Sequence, residues 1–180
     1  MKGVVASLSR SQTHSFSKQD ANWLDLIAGQ GVAGDAHCGT TVKHRSRVAA
    51  DPSQPNLRQV HLIAAELIDE LGEAGFAIAP GDLGENVLTR GLDLMTLPRG
   101  TRLRIGSEAE LELTGLRNPC GQIEAFRPGL LAKVALRADD GTIVRRAGVM
   151  AIVTQGGRIS TGDAIEVMLP ALPHEPLERV

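Results

Sequence analysis

The stretch GLRNPCGQIE, residues 115–124, holds one of the two cysteines in this 180-residue chain. Pro119 fixes the entry of the backbone into Cys120 and keeps Asn118 out of helical geometry. The residues after Cys120 can begin a helix, so the thiol is expected at the mouth of a turn. Arg117 close by and a helix N-terminus both favour a thiolate, the form that ligates soft metals or attacks sulfur. The plainer reading is a small buried hydrophobe without reactivity. A second stretch, GVAGDAHCG at 31–39, gathers three glycines with Asp35, His37 and Cys38. Glycines there let backbone N–H groups approach an anion; a tight hairpin turn is the plainer reading. His37, Cys38, His44 and His61 could supply zinc ligands, but the adjacent His37 and Cys38 match no usual structural-zinc spacing. In GDLGENVLTRG, residues 81–91, Glu85 and Asn86 follow Gly84. They read either as turn and capping residues or as fixed donors and acceptors for a polar ligand.

Composition narrows the function classes. A chain of this length suits one domain with a real core, and 42% hydrophobic residues describe an ordinary globular protein. A net charge of −2 gives no case for nucleic acid or a membrane surface as partner. Without tyrosine, and with three Phe and one Trp, the chain lacks the stacking platforms of single-strand binders. Cys38 and Cys120 form neither a disulfide framework nor a CxxC motif. The N-terminal MKGVVASLSRSQTHSFSKQD has no apolar core of signal-peptide length, and no run approaches the ~20 apolar residues of a membrane span. A cytoplasmic location with both thiols reduced is the expectation.

These residues must be positioned by short strands and a few helices. Val4, Val5, Ala6 and Leu8 read as an opening strand, followed by a polar loop. WLDLIAGQGVAGD reads as a short strand or helical turn running into a glycine turn. Residues 48–57, with two prolines, read as an exposed loop. Val60, Leu62 and Ala64 alternate as in a strand, and then the period changes: Ala64, Leu67, Ile68 and Leu71 fit one face of a helix ending near Gly75. TRLRIG and AELELTGL alternate as half-buried antiparallel strands, and VRRAGVMAIVTQGG and GDAIEVMLP are again strand-like. Residues 121–137 fit a helix interrupted near Pro128 and Gly129. Twenty glycines among such strands predict a mostly β barrel or sandwich with a few helices. Residues 1–170 are expected to form a single domain, and 171–180 a surface tail.

In company, these stretches resemble the MOSC family, named for the C-terminal domain of molybdenum cofactor sulfurase. The matching pieces are GVAGDAHCG, RQVHLIAAELIDELGEAGF, PGDLGENVLTRGLDLMTLPRGTRLRIG and AELELTGLRNPCGQI, with GVMAIVTQGGRISTGDAIEV as a closing strand. GLRNPC is the most specific of them. The likeness is strongest to small stand-alone bacterial members linked to detoxification of hydroxylaminopurine and related N-hydroxylated bases. Longer bacterial members continue into a C-terminal helical extension, whereas this sequence stops at Val180.

The resemblance implies a largely β-barrel fold holding a molybdenum cofactor, a molybdopterin, with Cys120 as ligand to molybdenum or, in sulfurase relatives, as carrier of a persulfide. It places Gly34, Asp35 and His37, and the Gly84, Glu85 and Asn86 triplet, at the pocket. Asp35, His37 or Glu85 could relay protons. Lys43, Arg45 and Arg117 are sources of positive charge for the pterin phosphate, and Asn118 joins them on the Cys120 turn. The implied activity is reduction of N-hydroxylated small molecules. Electrons would come from a separate flavin or iron–sulfur reductase, because the chain has no such signature of its own. A sulfur or cofactor carrier without turnover is the rival expectation.

Overall fold

The computed structural model describes residues 2–180, apart from the side chains of Arg45 and Ser46. In chain order the first strands are β1 (Lys2–Arg10), β2 (Gln19–Ala21), β3 (Trp23–Ile27), β4 (Gly31–Val32), β5 (Val60–Ala64) and β6 (Val87–Arg90). They are followed by β7 (Arg102–Ile105), β8 (Ala109–Leu116), β9 (Ala135–Arg137), β10 (Ile143–Arg145), β11 (Val149–Gln155), β12 (Gly157–Ser160) and β13 (Ala164–Met168). The described helices are α1 (Arg45–Ala50), α2 (Ala65–Glu73), α3 (Gly121–Phe126) and α4 (Leu130–Val134). None of them is long and apolar enough to cross a membrane.

Seven strands pair in the order β13-β7-β8-β11-β5-β6-β1, and β1 pairs back to β13, closing a barrel. The expected mostly β, barrel-like fold with a few helices is therefore present. Closure removes the open sheet edges that would otherwise invite association. All pairings around the barrel are antiparallel except β5–β6, which is parallel. A parallel neighbour requires a crossover, and α2 provides it, as the change of period after Ala64 predicts.

The alternation in β7 and β8 sends Leu103, Ile105, Ala109, Leu111 and Leu113 into the barrel interior, all fully buried. There they meet Val5, Leu8, Leu62 and Val149 in one aliphatic core. A second apolar layer lies outside the barrel. Ile63 and Leu88 leave the sheet on its other face and pack against Leu67, Leu71, Ile123, Leu130 and Val134 of the helices. That layer fixes α3, and with it the position of Cys120.

One expectation changes and two gain detail. The helix α1 reaches residue 50, inside the 48–57 stretch that reads as an exposed loop, and Asn56 in that stretch is buried. The prolines at 52 and 55 limit the helix to under two turns rather than preventing it. The expected interruption of 121–137 falls at Gly129, whose φ of 85° no helix continues through, so that α3 and α4 lie on either side of it; beyond the expectation, residues 135–137 turn into β9. Residues 171–176 are exposed, and Leu177 is buried in the barrel core. Leu116 N donates to Glu178 O at 2.7 Å, so residues 177–180 run alongside the end of β8.

Candidate functional site

One row of residues crosses five neighbouring strand positions at one end of the barrel. Ser9 N donates to Asn86 O at 2.8 Å, and Asn86 N donates to His61 O at 2.8 Å. His61 is the register partner of Met150, and Met150 of Gly115. Asn86, His61 and Met150 line a cavity of about 320 Å³, and Arg117 and Cys120 enter it just beyond Gly115. A cavity of this size falls at the lower end of the range of about 300–1,000 Å³ for small-molecule sites.

Asp35 is the polar hub beneath the cavity. Its side chain is 1% exposed and every lone-pair direction is used. Oδ2 accepts from Lys18 Nζ at 2.7 Å, Asn86 Nδ2 at 3.1 Å and Ser11 N at 3.2 Å. Oδ1 accepts from His37 N at 2.9 Å and lies 3.2 Å from His37 Nδ1. Burial alone would raise the Asp35 pKa. The His37 hydrogen bond and the Lys18 ammonium outweigh it and hold the carboxyl well below the usual carboxylate range. Asp35 is thus a fixed anion that orients His37 and Lys18, and it does not exchange protons near neutrality.

The GEN triplet fixes the loop that joins the cavity to the barrel. Asn86 Oδ1 accepts from His61 N at 3.2 Å, while its Nδ2 reaches Ser9 O and Asp35. Gly84 has φ of 79°, and a Cβ there would stand 2.5 Å from Phe16 O. Only glycine lets the loop pass so close. Glu85 accepts from Gly81 N through Oε1, and its buried Oε2 has no partner among the described residues. Burial pushes the Glu85 carboxyl up, against the pull of Gly81 N–H and Arg117. Glu85 does not line the cavity; it supports the loop from behind.

Cys120 is the N-cap residue of α3, half-buried, with its Sγ 3.5 Å from Gln122 Oε1. Ile123 N donates to Cys120 O at 3.0 Å, and the Ile123 side chain is fully buried, which pins the turn. Asn118 is held by Arg145 Nε at 3.2 Å. Around the thiol the wall is cationic: Lys43, Arg47, Arg58, Arg117 and Arg179 all line the cavity. Arg117 is buried, donates to Leu83 O at 2.8 Å and lies over the Phe16 ring. Burial lowers Arg58 to about 10, aided by repulsion from Arg47 and Arg117 and opposed by the Cys120 sulfur. Burial together with Arg58 and His37 holds His44 at about 4, and burial keeps His61 far below its ordinary value. Both rings are neutral at physiological pH, and His61 Nε2 lies 2.8 Å from Ala147 O.

Of the residues singled out in the sequence, His37, Lys43, Gly84, Asn86, Arg117, Asn118 and Cys120 meet in this cavity. Asp35 and Glu85 lie behind it. Gly34 does not line it: the residue is exposed, and the nearest atom to a Cβ there would be Arg10 Nη1 at 3.7 Å. The side chain of Arg45 lies outside the described residues. The histidines and cysteines considered for zinc form no metal-binding group among the described residues. Lys18, Arg47, Arg58 and Arg179 escape sequence reading, because each comes from a different segment and carries no local motif.

The MOSC domain model matches residues 37–166. This chain belongs to the MOSC family. It is 32% identical over 179 residues to YuaD of Bacillus subtilis (strain 168), covering 93% of this chain and 91% of that protein. The crystal structure of YuaD superposes with a TM-score of 0.77 at 30% identity, covering 95% of this chain and 98% of that one. YiiM from Escherichia coli shares the fold, with a TM-score of 0.63 at 20% identity over 97% of this chain and 73% of its own. MOSC membership links the chain to molybdenum-cofactor chemistry in general terms.

Proposed function

We propose that this MOSC protein binds a molybdenum cofactor through Cys120 and reduces N-hydroxylated small molecules with it. The observation that carries the reading is the thiol of Cys120 in the wall of a cavity whose charged lining is almost wholly cationic. That donor set fits the group: a thiolate is a soft ligand suited to molybdenum, and guanidinium and ammonium groups suit a pterin phosphate. Cys120 would hold the metal, and Lys43, Arg58 and Arg117 would hold the phosphate. Bound there, the cofactor supplies two-electron removal of an oxygen atom.

The chain's own residues account for the protons. Converting R–NHOH to R–NH₂ and water consumes two electrons and two protons. Asp35 is locked as a carboxylate, and His44 and His61 are neutral. His37 lines the cavity with Nδ1 turned to Asp35, which leaves Nε2 to hold a proton at the leaving oxygen. Asp35 orients that ring. The electrons come from a separate flavin or iron–sulfur protein, and the reaction needs neither nucleic acid nor membrane.

The test is elemental and pterin analysis of protein from a host that makes molybdenum cofactor, wild type beside Cys120→Ala. Near-stoichiometric molybdenum, lost in the variant, is the expected result. Equal molybdenum in both would remove Cys120 as ligand. A carrier function is the second reading, favoured by a thiol whose one hydrogen bond among the described residues is a long contact to Gln122. The name of the relative YuaD also includes the words metal-sulfur cluster biosynthesis. A persulfide on Cys120 in protein free of molybdenum would support that reading.

A further inference from the structure

The segment 175–180 does more than close the barrel. Arg99 N donates to Glu175 O at 2.9 Å, Leu116 N to Glu178 O at 2.7 Å and Val180 N to Leu116 O at 3.3 Å. Leu177 anchors it in the core, and Leu116 bridges Arg179 in parallel register. The result is a strap along the end of β8, immediately before Arg117, that brings Arg179 and Val180 into the cavity wall. The strap also explains Gly115. A Cβ at that position would stand 2.3 Å from both Glu178 O and Val180 Cγ1, so only glycine admits the strap at this distance.

We infer that Arg179 is a ligand-selecting residue of the Cys120 cavity, held at its rim by the strap and favouring ligands that carry a phosphate group. The inference rests on the reading of this cavity as the ligand site, but not on molybdenum. Lys43, Arg47, Arg58, Arg117 and Arg179 all face the cavity, and among the described residues no carboxylate stands within 4.0 Å of any of them. Such an excess of like charge is retained at a cost, which an anion in the cavity relieves. Arg58, Arg117 and Arg47 sit deeper and repel one another. Arg179 is exposed, so an incoming anion meets it first. A rim charge acts mainly on the rate of entry and loses its effect in salt.

Alkylation of Cys120 reads this directly in protein from a host unable to make molybdenum cofactor. Anionic iodoacetate and neutral iodoacetamide attack the same thiol, and peptide mapping separates Cys120 from Cys38. The rate ratio, normalised to free cysteine, is expected to exceed one at low salt. Arg179→Ala should lower it roughly two-fold and Arg179→Glu roughly four-fold, as expected for one and two unit charges several ångströms away. Inorganic phosphate should protect Cys120 in wild type and less in these variants. Gly115→Ala should lower the ratio as Arg179→Ala does, and Arg137→Ala, on the exposed β9, should leave it unchanged. Wild-type ratios and wild-type phosphate protection in both Arg179 variants would overturn the inference, whatever Gly115→Ala does to folding. Pterin content in a cofactor-making host then identifies the phosphate. Loss of pterin with Arg179→Glu assigns Arg179 to the cofactor, and retention assigns it to the incoming substrate. A wild type that shows the selectivity but takes up no molybdenum even in the cofactor-making host would sink the reductase reading and leave this one standing.

Discussion

Lys18 Nζ stands 2.7 Å from Asp35 Oδ2, and neither side chain is more than 4% exposed. Burial lowers the Lys18 pKa and Asp35 opposes that shift, so each charge of the pair depends on the other. The two residues come from segments that share no local pattern. Asn86 and His37 join them into one network that ties the loop after β1, the turn after β4 and the start of β6 to the cavity.

Asp35→Asn puts an amide where all five facing groups, from four residues, are donors and leaves Lys18 buried without its counter-charge. A loss of about 3–5 kcal/mol is expected, as when one partner of a buried pair is removed. Lys18→Met removes one of the five donors but leaves Asp35 with the others, so its loss should be smaller. Denaturant unfolding of both variants at pH 7 checks the order. Equal losses would mean that the pair, rather than the hub, carries the stability.

Glu85 and Asp35 impose opposite pH dependences. Asp35 is depressed in the native state, so its contribution is present above the unfolded value of about 3.9 and is lost as pH falls through the folded one. Glu85 is raised, so the native state binds its proton more tightly than the unfolded chain does. Its contribution is complete below the unfolded value of about 4.3 and declines as pH rises through the folded one. Glu85→Gln keeps an acceptor for Gly81 N and removes the buried charge. Its unfolding free energy should therefore fall less than that of wild type as pH is raised from about 4. Parallel stability curves for the two proteins would show that Glu85 does not titrate against burial.

The parts of the fold that could be read from the sequence are those whose side chains alternate or repeat. AELELTGL is β8 as written, and the helical repeat from Ala64 to Leu71 is α2. RSRVAA, which forms α1, carries no legible helix signal, because its six residues lack an N-cap side-chain bond and run into Pro52. Cys120 was legible because proline, arginine and a helix start surround it in sequence. Lys18 and Arg58 were not, since a lone cation in a polar segment looks the same on a surface as in a pocket. The row from Ser9 to Gly115 exists only once β1, β6, β5, β11 and β8 have paired side by side, and that row decides which cations face the thiol. Gly34 illustrates the converse: a glycine within a promising motif, serving a turn that points away.

Cys120→Ser is expected to leave the fold intact. The thiol is half-buried, its one hydrogen bond among the described residues is long, and Ile123 fixes the turn independently. The change in unfolding free energy should stay within about 1 kcal/mol, while molybdenum content and reductase turnover are lost. A large fall in stability would place the sulfur in the packing rather than in the chemistry.

Two glycines with nearly the same backbone separate strain from collision. Gly75, after α2, has φ of 90° and, among the described residues, no atom within 4 Å of a Cβ; Gly84 has φ of 79° and Phe16 O at 2.5 Å from one. Alanine at either position takes a left-handed conformation that costs about 1–2 kcal/mol. At Gly75 the cost should end there. At Gly84 the new methyl group must also push the Phe16 backbone, and Phe16 carries the ring beneath Arg117. Gly84→Ala should therefore lose more stability than Gly75→Ala and change the iodoacetamide reactivity of Cys120, which Gly75→Ala should not touch. Equal stability losses with unchanged Cys120 reactivity would mean that the loop yields to the methyl group and that Gly84 serves backbone conformation alone.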